Sequence, residues 1–222
     1  MNNLLVAQSG GPTAVINATL AGILQGIRIN NKVDRVYGAK NGIEGVFKEK
    51  FIDLNELVVD PLKLETLKYT PSSALGTCRY KLEDWRNDEE VYKKLTDIFH
   101  KYEIKYFIYI GGNDSMDTVY KLSDYCTKND LDIVIVGAPK TIDNDLEITD
   151  HCPGFGSAAK YIATTIAELE RDTASYDIPA VTIVEIMGRN AGWLTASSAL
   201  ARLNGGAGPD LIYLCERAFD KE

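Results

Sequence analysis

The sequence predicts an α/β protein built on a doubly wound, mostly parallel sheet, together with part of a second α/β domain. Three observations predict it. Short apolar runs alternate with stretches of helical period, each run closes in a glycine-rich or polar turn that opens the next helix, and the composition is that of a globular chain, 45% hydrophobic and 25% charged over 222 residues. The expected strands are 4–7, 33–38, 105–110, 132–137, 180–186 and 210–215. The expected helices are 14–29, 89–102, 115–129, 156–174 and 191–203. Leu4-Leu5-Val6-Ala7 opens the first unit directly after Met1-Asn2-Asn3, and Glu89-Glu90 starts the second helix where acidic groups suit its dipole. From Lys50 to Glu90 the pattern is weak, and Thr70-Pro71-Ser72-Ser73-Ala74-Leu75-Gly76 reads as an ordered loop. A boundary is expected at His151-Cys152-Pro153-Gly154-Phe155-Gly156, separating 1–154 from 155–222.

Bulk properties exclude several function classes. A formal charge of -8 opposes nucleic acid as a partner, although local cations and helix amino ends still accommodate small anions. No apolar run reaches bilayer-spanning length, so no membrane role and a cytoplasmic location are expected. Cys78, Cys126, Cys152 and Cys215 form no C-x-x-C pair, which argues for reduced thiols and against a zinc site. His100 and His151 have no partner at a catalytic or metal spacing, and Tyr102, Tyr106, Phe107 and Tyr109 read as strand and core packing.

Four turns carry the candidate chemistry. Lys140-Thr141-Ile142-Asp143-Asn144-Asp145 follows a strand expected to be buried, and its density of polar groups exceeds what a turn needs. A hydroxyl attacking phosphorus must lose its proton, which makes Asp143 the candidate base. Lys140 neutralises the transferring group, Thr141 bonds a phosphate or the sugar, and Asp145 orients the site or holds metal through water. Gln8-Ser9-Gly10-Gly11-Pro12-Thr13 lets backbone approach an anion at a helix start, yet a tight turn with no ligand explains it as well. Gly111-Gly112-Asn113-Asp114-Ser115 either caps its helix through Asp114 or Ser115, or cradles Mg²⁺ between Asp114 and phosphate oxygens. In Met187-Gly188-Arg189 the guanidinium is placed for spreading phosphoryl charge, or else it pairs with a surface carboxylate. Arg79 either reaches a phosphate or stands as a solvated cation.

Ser9-Gly10-Gly11, Gly111-Gly112-Asn113-Asp114-Ser115, Thr141-Ile142-Asp143-Asn144-Asp145 and Met187-Gly188-Arg189, in this order and spacing, resemble the 6-phosphofructokinase family over nearly the whole chain. The resemblance implies phosphoryl transfer to the 1-hydroxyl of fructose 6-phosphate with Mg²⁺, by a homo-oligomer, dimer or tetramer. It places Gly10, Gly11, Asp114, Ser115 and Arg79 at the donor, with Asn113 and Asp114 at the metal. Thr141, Ile142, Asp145, Met187, Gly188 and Glu216 fall at the sugar, and Asp143, Lys140 and Arg189 at the transfer itself. On the same footing 1–154 is a donor-binding domain and 155–222 an incomplete sugar-phosphate domain.

Two positions resemble the pyrophosphate-dependent branch: Asp114 stands where ATP-using members have glycine, and Lys140 precedes the Thr-Ile-Asp-Asn-Asp run where they also have glycine. A carboxylate at 114 repels a nucleotide's α-phosphate by about 4 kcal/mol for unit charges 4 Å apart at an effective dielectric near 20. Asn113 replaces the usual metal-binding aspartate with a neutral ligand, leaving metal to Asp114 or to the donor itself. The alternatives are an ATP-dependent enzyme and a non-catalytic sugar-phosphate-binding subunit of the same fold. The 222 residues alone are expected to turn over little while retaining donor-side anion binding.

Overall fold

A computed structural model describes residues 1–30 and 32–219 of the chain. They divide into two compact units, one spanning Met1–Lys140 and one from Thr141 onward.

The first unit is a five-stranded sheet between helices. Strands β1 (Asn3–Gln8), β2 (Val36–Ala39), β3 (Phe51–Asp53), β4 (Ile104–Gly111) and β5 (Val134–Pro139) lie in the order β3-β2-β1-β4-β5. All pairings are parallel except the short antiparallel edge β2–β3. The chain first winds from β1 outward to β2 and β3, then returns to the other side of β1 with β4 and β5. The topological switch therefore lies between β1 and β4, whose carboxyl ends point to one rim of the sheet.

Every residue of β1 is buried, and its alternating side chains feed two cores. Leu5 and Ala7 pack with Tyr92, Leu95 and Phe99 of helix α5 (Glu89–Lys101) and Leu122 and Tyr125 of helix α6 (Asn113–Lys128). Leu4 and Val6 pack with Ile16, Leu20 and Leu24 of helix α1 (Ile16–Asn30), whose i, i+4, i+8 spacing makes one apolar stripe.

Between β2 and α5 the weakly patterned stretch holds more than a loop. A turn of helix α2 (Gly42–Phe47) precedes β3, and helices α3 (Asn55–Val59) and α4 (Pro61–Tyr69) follow it. The Asp60 carboxylate accepts the Leu62 and Lys63 N–H groups and Pro61 occupies the first helical position, so α4 has both ordinary start signals. Residues 70–88 contain neither helix nor strand, yet Leu75 and Leu82 are fully buried.

The second unit is helical. The twenty-residue α7 (Phe155–Ala174) starts after Gly154 and packs Ile166 and Ala167 against Ala201 of a 3-10 helix, Ser198–Asn204, that continues α8 (Trp193–Ser197).

Several expectations are corrected. Residues 180–186 and 210–215 form no strand among the described residues; their apolar alternation is that of a strand, but no neighbouring backbone pairs with them, and Val181 and Ile183 are about nine-tenths exposed. Of the four turns that carry the candidate chemistry, the rim of the sheet thus carries three, those of β1, β4 and β5. β5, expected to be buried, is an edge strand with Val134 and Val136 turned outward. The division between the two compact units falls after Lys140, where the Lys140 N–H bonds the Gly111 carbonyl and the Thr141 N–H bonds the Pro153 carbonyl.

Candidate active site

In the first unit three turns meet at the switch point. The β1 register pairs Gln8 with Ile110, and the β4 register pairs Gly111 with Pro139, so Ser9–Gly11, Gly112–Ser115 and Lys140 leave adjacent strands at the same level. Lys140 links them. Its side chain is 95% buried, its ammonium donates to the Gly11 carbonyl, and a Cβ placed on Gly10 would stand 3.4 Å from its Nζ and 3.7 Å from the Gly112 nitrogen. A lysine ammonium carries three donors, and a buried one favours anions around it.

Helix α6 begins two residues earlier than expected, which sets Asn113, Asp114 and Ser115 in its first turn. Gly112 is the capping residue, its carbonyl taking the Ser115 and Met116 N–H groups, and no side chain caps the helix. The simple reading of Asp114 or Ser115 as a cap is therefore set aside. Asn113 and Asp114 are exposed, whereas Ser115 is buried against Gly111, where a Cβ would run into its hydroxyl. A Cβ on Gly11, by contrast, would meet no protein atom within 4 Å, so nothing inside the chain demands a glycine there.

Arg79 is exposed and joins this set through its neighbours. The Thr77 hydroxyl donates to the Gly10 carbonyl at 2.5 Å, and the Cys78 carbonyl accepts from the Gly10 N–H at 3.4 Å and the Ser9 hydroxyl at 3.3 Å. Among the described residues Arg79 makes no ion pair. Behind the turn, the buried Tyr109 phenol lies 3.7 Å from the Cys78 thiol, and burial pushes its pKa above the ordinary tyrosine range, which keeps it neutral.

The second unit holds two further sets. In the first, the Thr141 hydroxyl donates to Asp145 Oδ1 at 2.9 Å and accepts the Asp143 N–H at 3.0 Å, folding Thr141–Asp145 into a closed turn. Asn144 takes the left-handed conformation, φ 58°, that asparagine tolerates, and its amide accepts the Cys152 N–H at 2.8 Å and donates to the Asp150 carbonyl at 3.3 Å. Asn144 had no role in the sequence reading, and its position between two aspartates was the available signal. Ile142 is half-buried in the same turn.

The second set is Met187-Gly188-Arg189, with Met187 and Arg189 exposed. Gly188 has φ 124°, and a Cβ there would run into the Ala191 carbonyl oxygen, so glycine is obligatory. Glu216 joins this turn. Its Oε1 accepts the Gly192 N–H at 2.6 Å, and that bond holds its carboxyl below the usual range. Its carboxylate thus anchors the start of α8.

Residues 3–222 match the family described as phosphofructokinase. The chain belongs to the phosphofructokinase family. It is 44% identical over 221 residues to the pyrophosphate–fructose 6-phosphate 1-phosphotransferase of Xanthomonas campestris pv. campestris, covering 99% of this chain and 52% of that protein. The enzyme of the same name from Rhodospirillum rubrum is 45% identical, with 98% and 52% covered. The crystal structure of a pyrophosphate-dependent phosphofructokinase from Marinobacter aquaeolei superimposes with a TM-score of 0.84 at 41% identity, covering 99% of this chain and 54% of that one. The chain spans about half the length of the curated relatives it matches.

Proposed function

We propose that this phosphofructokinase chain carries the donor site and the catalytic base of an enzyme that moves a phosphoryl group from pyrophosphate to the 1-hydroxyl of fructose 6-phosphate, giving fructose 1,6-bisphosphate. The observation that carries the reading is Lys140: an ammonium set against the Gly11 carbonyl, between the two glycine turns, with the Asp114 carboxylate on the same rim. A cation at that place suits the leaving phosphate of pyrophosphate. A carboxylate at 114 opposes the longer polyphosphate of a nucleotide. The names of the relatives agree with this donor.

In the transfer, Asp143 takes the proton of the 1-hydroxyl as that oxygen attacks phosphorus. The bond to the bridging oxygen of pyrophosphate breaks, and inorganic phosphate leaves with its charge held by Lys140, Arg79 and the Gly10–Gly11 and Gly112–Ser115 backbone. Asp145 fixes the Thr141 hydroxyl, and through it the Asp143 N–H, so the backbone that carries the base is held. Thr141, Ile142, Met187, Gly188, Arg189 and Glu216 are assigned to the sugar phosphate. Met1–Lys140 is then the donor unit, and the part from Thr141 onward bears acceptor groups.

Among the described residues no three His, Cys, Asp or Glu side chains gather as a ready metal cage. Magnesium needs none, since it binds through one or two carboxylates plus substrate phosphates, and the exposed Asp114 with Asn113 fits that role. When bound, Mg²⁺ neutralises phosphate charge. The same reading assigns the protein to glycolysis in the cytoplasm, as a homo-oligomer; among the described residues no helix is long and apolar enough to cross a membrane.

The test is a coupled assay for fructose 1,6-bisphosphate with pyrophosphate or ATP as the sole donor, run on a polypeptide of the relatives' full length, since the 222 residues alone are expected to turn over little. Turnover with pyrophosphate alone is expected. Turnover with ATP alone identifies the ATP-dependent reaction, and tight fructose 6-phosphate binding with neither donor used identifies a non-catalytic subunit.

A further inference from the structure

Two buried carboxamides stand behind the first glycine turn and take no part in the chemistry described above. Gln8 ends β1 and Asn17 lies in the first turn of α1, and each is at most 1% exposed. Gln8 Nε2 donates to Asn17 Oδ1 and to the Ile16 carbonyl, both at 3.1 Å. Its Oε1 accepts the Leu75 N–H at 2.8 Å and lies 2.8 Å from the Ser73 hydroxyl. Asn17 Oδ1 also accepts the Ala74 N–H at 2.8 Å, and its Nδ2 donates to the Thr70 carbonyl at 2.9 Å.

An apolar pair would fill the same volume without the cost of burying two amides, so their value lies in direction. What they direct is a stretch of chain with no ladder of its own. Residues 70–78 take backbone partners from Gln8 and Asn17 at Thr70, Ala74 and Leu75, with Lys40 and Asn41 holding the Ala74, Leu75 and Thr77 carbonyls from the other side, and two residues after Leu75 the chain closes onto Gly10 through Thr77 and Cys78. On the far side the Lys121 ammonium holds the Leu82 carbonyl at 2.9 Å. Arg79 lies between these two fixed points, exposed and next to the turn.

We propose that Gln8 and Asn17 are positioning residues for pyrophosphate binding: their carboxamide pair locks segment 70–78 onto the first glycine turn and so sets Arg79 beside Gly10 and Gly11. This rests on the donor reading given above. A group that acts only through Arg79 becomes irrelevant once Arg79 is gone, and a double-mutant cycle reads that directly.

The experiment is calorimetric titration of the full chain with magnesium pyrophosphate for wild type, Gln8→Met, Arg79→Ala and the double variant. Gln8→Met is expected to weaken binding about tenfold, the scale of a lost hydrogen bond or two. The double variant is expected to bind no worse than Arg79→Ala alone, and amide exchange at Ala74 and Leu75 is expected to quicken in Gln8→Met while β4 stays protected. Should Gln8→Met not fold, Thr77→Val, which removes the hydroxyl bonded to Gly10, is expected to show the same non-additivity with Arg79→Ala. Additive losses overturn the inference while leaving the donor reading intact. A wild-type chain that takes up no magnesium pyrophosphate overturns the donor reading and this inference with it.

Discussion

The turns of the first unit and the turns of the second are held in place by different means. Ser9–Gly11, Gly112–Ser115 and Lys140 are continuations of paired parallel strands whose register is fixed by two apolar cores. Thr141–Asp145 runs on from β5 past Lys140 with only an isolated bridge from Thr141 to Gly154, and Met187–Gly192 follows no strand among the described residues; both are shaped mainly by side-chain bonds, such as Thr141 to Asp145 and Gly192 to Glu216, and by positive φ at Asn144 and Gly188. On the proposed assignment, donor geometry is therefore a property of the fold, while acceptor geometry depends on a handful of polar contacts that one substitution removes.

Substitutions that remove chemistry without altering either scaffold have the largest expected effect. Asp143→Asn should lower the rate of phosphoryl transfer by about 10²–10⁴-fold, the usual worth of a general base, with donor affinity unchanged. Steady-state kinetics with pyrophosphate and fructose 6-phosphate measure it, and a rate within a factor of a few of wild type removes Asp143 from the role. Next comes Lys140→Met, which should cost about 1.5–3 kcal/mol of pyrophosphate binding, roughly 10–150-fold in Kd. Combining Asp114→Gly with Lys140→Gly should shift donor preference from pyrophosphate toward ATP in the coupled assay, and an unchanged preference places the discrimination elsewhere.

The contrast between the units sharpens at two glycines of the first. Gly111→Ala puts a Cβ into the Ser115 hydroxyl and should lower stability by about 1–3 kcal/mol in chemical denaturation. Gly11→Ala meets open space and should change stability by less than about 0.5 kcal/mol while weakening pyrophosphate binding. The smallest effect belongs to Glu216. The Gly192 N–H lowers its folded-state pKa, so the contribution of this bond to stability is present above the ordinary glutamate pKa and is lost as pH falls through the lowered value. Amide exchange at Gly192 should quicken only on acidification below the ordinary carboxylate range, and Glu216→Gln should abolish that pH dependence.

The same division decides what could be read from the sequence. β1, β4 and β5 were legible because a parallel strand is a short run of Leu, Ile, Val and aromatic residues closed by glycine or proline, whether buried like β1 or at the edge like β5, and the turns after them carry their chemistry in contiguous residues. Residues 180–186 have an equally good pattern and form no strand among the described residues, since alternation records a face and not the presence of a partner. β3, α3 and α4 were missed because each is short, although Asp60-Pro61 is an ordinary helix start. Gln8, Asn17 and Asn144 were illegible for another reason: a buried amide matters through partners such as Leu75, Thr70 and Cys152, and no periodicity announces those.

The central claim is that three strand-end turns form one pyrophosphate cradle around Lys140. Backbone amide chemical shifts followed by NMR during titration with magnesium pyrophosphate test it most directly. The largest shifts are expected together at Gly10 and Gly11, at Gly112 to Ser115 and at Lys140, saturating with one affinity. Shifts confined to a single turn, or centred away from the carboxyl ends of β1, β4 and β5, would contradict it.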